Sequence, residues 1–366
     1  MIILTAIILS IGLSIKFFVL GNVDLPLFSA AVGLGLLVAA YFIDFSLIGK
    51  YPKTIYVCIL ALSTFALILS PRFNGRSFYT GFMPLLFPLA FAAIVYAVRN
   101  KRYLGLILCK MALFLLCFFA VLAPTVSGLL LTLVSGLIIL TVAIHKKWFS
   151  VKRLYGYLIS YIPSIVLGLL ALSNISNNTW ERLQATFNPS LDPTGYGYLN
   201  MLVRALLDGS KMFGQGVMPA QYSMLSLPGA YTDFFLTSLI YSIGWISFIV
   251  IVGVLLNFIV KGFMLCFRQK SILGTLVSLS IILTFGMQVC GYVIANLGFQ
   301  FSASISLPLI SDGDTATIIN LALIGLMLSA FRSGEIVVDR NNKLVPAGGF
   351  ISWDKGKLII SFNKDN

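Results

Sequence analysis

The run DFFLTSLIYSIGWISFIVIVGVLLNFIV, Asp233 to Val260, places one carboxylate in front of a long stretch that carries no charge. About 20 consecutive apolar residues are enough for a helix to cross the hydrocarbon of a bilayer. A stretch of this length and composition therefore reads as a membrane span, entered through Asp233 from a polar segment that ends in GAYT.

Runs of the same kind recur along the chain. Ten are expected to be spanning helices, at 2–20, 27–46, 53–70, 82–98, 104–122, 126–144, 156–173, 233–260, 272–294 and 315–331. Apolar residues make up 59% of the 366 and charged residues 10%. A soluble domain of this length would need far more charge to cover its outside. The expected class is an all-α, polytopic integral membrane protein with about ten transmembrane helices and a long extracytoplasmic loop between spans 7 and 8. The domains follow: a membrane domain over 1–331, with the loop at 174–232, and a cytoplasmic tail at 332–366. The first run lacks a basic leader and an Ala-X-Ala site, so it reads as an uncleaved span.

Charge orients the stack. The turns after spans 2, 4, 6 and 8 carry Lys50, Lys53, Arg99, Lys101, Arg102, Lys146, Lys147, Lys152, Arg153, Lys261, Arg268 and Lys270, against Asp44 as their acid. By the positive-inside rule these face the cytoplasm, which puts both termini inside and Asp233 outside. The formal charge of +13 is then a topology signal and points to no nucleic acid. The expected location is a membrane, crossed many times.

Several chemistries drop out. Cys58, Cys109, Cys117 and Cys290 fall within spans and Cys266 at a span end, with no CxxC pair. His145 is the one histidine, which excludes a histidine triad or a histidine-rich metal site. Neither a phosphate loop nor a dinucleotide glycine fingerprint occurs, so ATP-driven chemistry is not indicated. In the tail, EIVVD, GFISW and KLIISF separated by turn residues predict a small hairpin-like element. The loop of ~60 residues far exceeds a bundle turn, and such loops are usually functional.

The loop reads NNTWERLQATFNPSLDPTGYGYLNMLVRALLDGSKMFGQGVMPAQYSMLSLPGAYTDFF. In order, Arg182, Asp192-Pro193, Gly197-Tyr198, Gly214-Gln215-Gly216, Leu227-Pro228 and Thr232-Asp233-Phe234 resemble the long outer loop of the SEDS proteins, the relatives of RodA, FtsW and SpoVE. A second block, with Asn296, Gly298, Pro308, Ser311 and Gly313, is similar to that family's last loop. Asn74, Gly75 and Arg76 match its first long loop. The pattern breaks at Thr125, Tyr241 and Ser242, where the family has acids. Leu202 and Val203 replace a Gln-Ser pair, and Asp312 and Asp314 replace Tyr and Gly.

The resemblance implies a peptidoglycan glycosyltransferase that polymerises lipid II with inversion and releases undecaprenyl diphosphate, in elongation, division or sporulation. It also implies the bacterial inner membrane as the location and a class B penicillin-binding protein as partner. A sugar hydroxyl is a weak nucleophile and calls for a base, the role the resemblance gives Asp233. A leaving diphosphate calls for cations or amide donors. Arg182 is the first candidate, with Arg204, Lys211 and Arg76 behind it, and Gly197, Tyr198, Gly214, Gly216, Thr232, Asn296 and Ser311 complete the expected substrate site. No ATP is needed, since the substrate carries its own leaving group, and two outward acids, Asp312 and Asp314, could hold a divalent cation such as Mg²⁺. Plainer roles also fit: Asp233 as a helix cap, Arg182 as a headgroup anchor, the glycines as turn residues. A precursor flippase or transporter and an inactive scaffold stand as the alternatives.

Overall fold

The computed structural model describes residues 1–20, 24–69, 72–73, 76–77, 80–122, 126–173, 177–217, 227–230, 232–300, 306–310, 314–333, 351–354 and 357–360. The helices are α1 (Ile2–Leu20), α2 (Asp24–Phe42), α3 (Ser46–Lys50), α4 (Pro52–Leu69), α5 (Phe87–Val98), α6 (Arg102–Leu122), α7 (Val126–His145), α8 (Arg153–Ser173), α9 (Asn177–Phe187), α10 (Tyr198–Asp208), α11 (Phe235–Ile243), α12 (Trp245–Arg268), α13 (Ile272–Asn296) and α14 (Asp314–Ser333). Strands β1 (Arg72–Phe73) and β2 (Arg76–Ser77) form one antiparallel pair, and β3 (Ile351–Asp354) and β4 (Lys357–Ile360) another. The second pair lies in the tail where a hairpin was expected. The EIVVD segment falls outside the described residues.

A helix stands at each of the ten apolar runs, and among the described residues six helical segments are long and apolar enough to cross a membrane, so the body of the molecule is a helical membrane bundle. Its outer surface is hydrocarbon: Phe65, Ile68, Phe118 and Leu169 are among many large apolar side chains left exposed. Water would penalise that surface, whereas lipid tails do not. Two expectations change. Span 8 is not continuous from 233 to 260, because the helix breaks at Gly244, whose φ is +112°, and resumes as α12 as far as Arg268. Hydropathy reports apolarity and does not register a backbone break. The 174–232 segment is also more than a loop, since it carries α9 and α10.

The centre of the bundle is α13, buried along nearly its whole length against α5, α7, α12 and α14. It contains Thr275, Ser278, Ser280 and Thr284, which would be costly in an apolar core if unpaired. Each hydroxyl donates back to a carbonyl three or four residues earlier, on Ser271, Gly274, Val277 and Ser280, so the helix carries its own compensation. Further along, Gln288 of α13 and Asn320 of α14, both fully buried, exchange two amide hydrogen bonds of 3.1 Å. On the far side of α14, Gly325 lets the backbone of Leu37 in α2 approach closely.

The amide pair yields a cycle to measure. Gln288→Leu or Asn320→Leu alone strands one buried amide and should lower stability by about 1–3 kcal/mol. The double Leu variant should recover most of that loss. Thermal unfolding of all four proteins in one detergent checks it, and equal losses that simply add would contradict the pairing.

Candidate functional site

Asp233 sits in a turn at the end of the bundle that carries α9 and α10. The N–H groups of Thr232 and Phe234 both donate to the carbonyl of Gly229, at 3.1 and 2.9 Å, which folds the chain back on itself. Thr232 is exposed, Asp233 half-buried and Phe234 buried. The turn is gripped from below by two side chains one helical turn apart on α13. The Tyr292 hydroxyl donates to the Thr232 carbonyl at 2.5 Å and accepts from the Phe235 N–H at 3.2 Å. Asn296 Nδ2 donates to the Asp233 carbonyl at 3.0 Å, while its Oδ1 accepts from the N–H and hydroxyl of Thr237 at 3.0 and 3.1 Å. Both residues are fully buried. The free N–H groups at the start of a helix need partners, and at Phe235 and Thr237 α13 supplies them. The N-cap residue, Phe234, makes no side-chain capping bond.

The break at Gly244 would leave further backbone groups unpaired, and a buried unpaired group costs about 1–3 kcal/mol. The segment 209–217 covers them. Gly214 and Gly216 donate their N–H groups to the carbonyls of Ile243 and Tyr241 at 2.7 and 2.8 Å, and the N–H of Trp245 donates to Lys211 O at 3.1 Å. A side chain on Gly244 would lie 2.5 Å from the Met212 carbonyl, so both its positive φ and the close approach demand glycine. The two glycines expected to let backbone approach a sugar or phosphate here bring backbone to backbone.

A third group is built by α9 and α10. Asp192 accepts from the N–H groups of Gly195 and Tyr196 at 3.0 and 2.7 Å, closing the turn before α10, and Gly197 packs against the Pro189 carbonyl. Arg182, exposed on α9, lies over the ring of Tyr196 at 5.4 Å from the centroid. Arg204 has a different environment. Its guanidinium donates to the carbonyls of Gly298 (3.1 Å), Thr186 (2.9 Å) and Phe187 (3.4 Å) and covers the ring of Phe299 at 4.7 Å. Asn200 and the backbone of Gln300 exchange two hydrogen bonds. Arg204 and Asn200 thereby tie α9 and α10 to the chain leaving α13, and Leu202, Val203 and Leu206 of α10 pack with Leu227, Phe234 and Tyr241.

Thr232, Asp233 and Asn296 are therefore together in one clamped turn, with Gly214 and Gly216 at the other end of α11. Arg182, Gly197 and Tyr198 belong to the α9–α10 layer, where Tyr198 is partly exposed at the start of α10. Lys211 is exposed and takes part through its carbonyl. Arg76 is placed by the β1–β2 pair, opposite Phe73. Ser311 and the side chains of Asp312 and Asp314 lie outside the described residues. Among the described residues no three His, Cys, Asp or Glu side chains gather to hold a metal ion.

Two residues escaped the sequence reading. Tyr292 stands four before Asn296, a spacing that puts both on one helix face. Lys110 is a charge two turns inside α6, whose other charge is Arg102 at its first position; it is 4% exposed, donating to Ser164 Oγ of α8 and lying 5.0 Å from the Phe114 centroid. An ionisable group at that depth is a signal readable from sequence.

Comparison with known proteins places residues 24–335 within the FtsW/RodA/SpoVE family model, described as "Cell cycle protein". The probable peptidoglycan glycosyltransferase FtsW of Trichlorobacter lovleyi is 26% identical over 149 residues, which cover 41% of this chain and 39% of that protein. The corresponding protein of Halothiobacillus neapolitanus is 25% identical over 181 residues, 48% of this chain and 44% of its own length. The chain thus spans less than half the length of these curated relatives. Among solved structures, a chain of a peptidoglycan synthase complex for polymerization and crosslinking matches with TM-score 0.74 and 18% identity, covering 92% of this chain and 98% of that one. Thermus thermophilus RodA matches with TM-score 0.59 and 16% identity over 91% and 96%. At such identities these structures show a shared fold.

Asn296→Ala removes the clamp from the turn. It should lower stability by about 1–3 kcal/mol, because backbone donors and acceptors lose a buried partner. Amide exchange at Thr237 should accelerate far more than exchange in the middle of α13, and uniform protection across both sites would count against the clamp.

Proposed function

This chain belongs to the FtsW/RodA/SpoVE family of cell cycle proteins, and we propose from that premise that it polymerises lipid II into glycan strands. In this reading the bundle lies in the bacterial inner membrane with its basic turns and both termini in the cytoplasm, and the α9–α10 layer faces outward. The observation that supports it best is the turn at Asp233: a half-buried carboxylate whose backbone is fixed by Tyr292 and Asn296 at the loop end of the bundle.

The reaction asks little more of the protein than position and charge. The 4-hydroxyl of a GlcNAc attacks C1 of the MurNAc at the lipid-linked end of the other chain. The O4–C1 bond forms as the C1–O bond to diphosphate breaks, and the configuration at C1 inverts. Asp233 takes the hydroxyl proton in that step. Charge builds on the departing undecaprenyl diphosphate, where Arg182 stabilises it, joined by Lys211 and Arg76. Thr232 and Tyr198 contribute the remaining sugar contacts, joined by Ser311. Asn296 acts as a positioning residue through the turn. The leaving group is already activated, so no nucleotide is consumed. Confinement of two lipid-linked reactants to one surface lowers the entropic part of the barrier. Crosslinking falls to a class B penicillin-binding protein.

One observation favours a second reading, an inactive scaffold. Leu202, Val203 and Tyr241, which stand where the family carries polar groups, pack together in a single apolar cluster. Their joint replacement keeps the fold while removing polar side chains from beneath the turn.

Polymerisation of purified lipid II, with and without Mg²⁺ and a class B partner, separates the two. Asp233→Asn should lower the rate by about 10²–10⁴-fold, and Arg182→Ala by about 10²-fold or more. A wild-type protein that makes no polymer under any of these conditions, or an Asp233→Asn protein as fast as wild type, sinks the catalytic reading.

A further inference from the structure

Helix α9 is amphipathic in the wrong sense for a segment of a water-exposed loop. Among its described side chains the buried ones are Ala185 and Thr186, and Thr186 donates its hydroxyl to the carbonyls of Arg182 and Gln300 at 2.9 and 3.4 Å. The small and polar side thus faces the protein. The large apolar side chains point away from it: Trp180 is 48% exposed, Phe187 68%, and Leu191, just past the helix, 63%. Trp180, Leu183 and Phe187 are spaced three and four apart, which sets them on one stripe of the helix. With Leu191 and the stems of Gln184 and Asn188 they line an open groove of about 380 Å³. Lone exposed apolar residues are ordinary, but a contiguous patch of this kind marks a contact surface.

We infer that this stripe of α9 lies in the membrane interface, with Trp180, Leu183, Phe187 and Leu191 seated among the lipids of the leaflet at the loop end of the bundle. Continuity of the lipid-facing surface selects that occupant. Helix α8 presents Ile165, Val166 and Leu169 outward along the same end of the bundle. It stops at Ser173, and α9 starts at Asn177. Three intervening residues span at most about 14 Å, so α9 begins within reach of the surface that α8 leaves. Tryptophan is the residue most at home at headgroup level, and the exposed Tyr196 and Tyr198 follow in the next turn. An 11-residue helix with one apolar face and a polar remainder fits a segment that lies on a bilayer and does not cross it.

The seat would fix more than the helix. Thr186 and Arg204 link α9 to residues 298–300, which continue from the helix end carrying Asn296. The height of the Asp233 turn above the hydrocarbon is then set from two sides, by the bundle below and by α9 beside it. This contact is independent of the reaction performed at Asp233.

The full chain in nanodiscs of phosphatidylcholine and phosphatidylglycerol tests the inference. In a protein keeping Trp180 as its sole tryptophan (Trp148, Trp245 and Trp353→Phe), lipids brominated near the headgroup should quench emission several-fold more than aqueous iodide does. A second measurement leaves the native tryptophans in place and puts a photoreactive benzoylphenylalanine at Phe187, where lipid adducts should dominate by mass. Iodide quenching without bromolipid quenching, or adducts to a second copy of the chain in place of lipid, overturns it.

Discussion

A helix that ends inside packed protein leaves carbonyls and N–H groups without partners, and the site region is organised around relieving that cost. At Gly244 the relief comes from the segment 209–217, whose backbone pairs with Tyr241, Ile243 and Trp245. At the start of α11 it comes from Tyr292 and Asn296. The short helix is thus closed at both ends by other parts of the chain, and the turn that carries Asp233 gains its fixed geometry as a by-product of that closure. The same requirement explains how α13 can be both central and rich in hydroxyls, since each one shown returns its proton to its own helix.

Two layers meet at this region with different physics. The bundle below is held by close packing and by a small number of satisfied polar contacts. The α9–α10 layer is held by a fold-back at Asp192, by the three carbonyls around Arg204, and by the apolar cluster that joins Leu202, Val203 and Leu206 to Phe234 and Tyr241. Arg204 stands among the cations that sequence order offers for binding an anion, yet its donors point to backbone oxygen. Arg182, stacked over Tyr196 and exposed, keeps the geometry of a group that can meet a ligand.

Most of the bundle was legible before any coordinates, because hydropathy reads burial in lipid directly: the runs at 104–122, 126–144 and 272–294 became α6, α7 and α13 with ends displaced by a few residues. The break at Gly244 was not, since one glycine in an apolar run leaves mean hydropathy unchanged while altering two helices. The helices inside 174–232 were hidden by the opposite problem, a polar composition that reads as loop even where Ala185, Leu202 and Leu206 mark buried faces. At the site, motif order singled out Asp233 and Asn296, and the structure brings them within one hydrogen bond. What Gly214 and Gly216 touch could not be inferred, because a glycine announces close approach without naming what approaches.

The reciprocal amides of Gln288 and Asn320 have a bearing on how the bundle finds its arrangement. Between two greasy helices in oil, many rotational and sliding alignments are nearly degenerate, as lipid and leucine are equally good neighbours. A slip of one residue would swing Asn320 about 100° around its axis and leave two amides facing hydrocarbon. The pair therefore acts as a key in a keyway, setting the phase of the last helix against the central one and, through it, the seating of α2 against the backbone gap at Gly325.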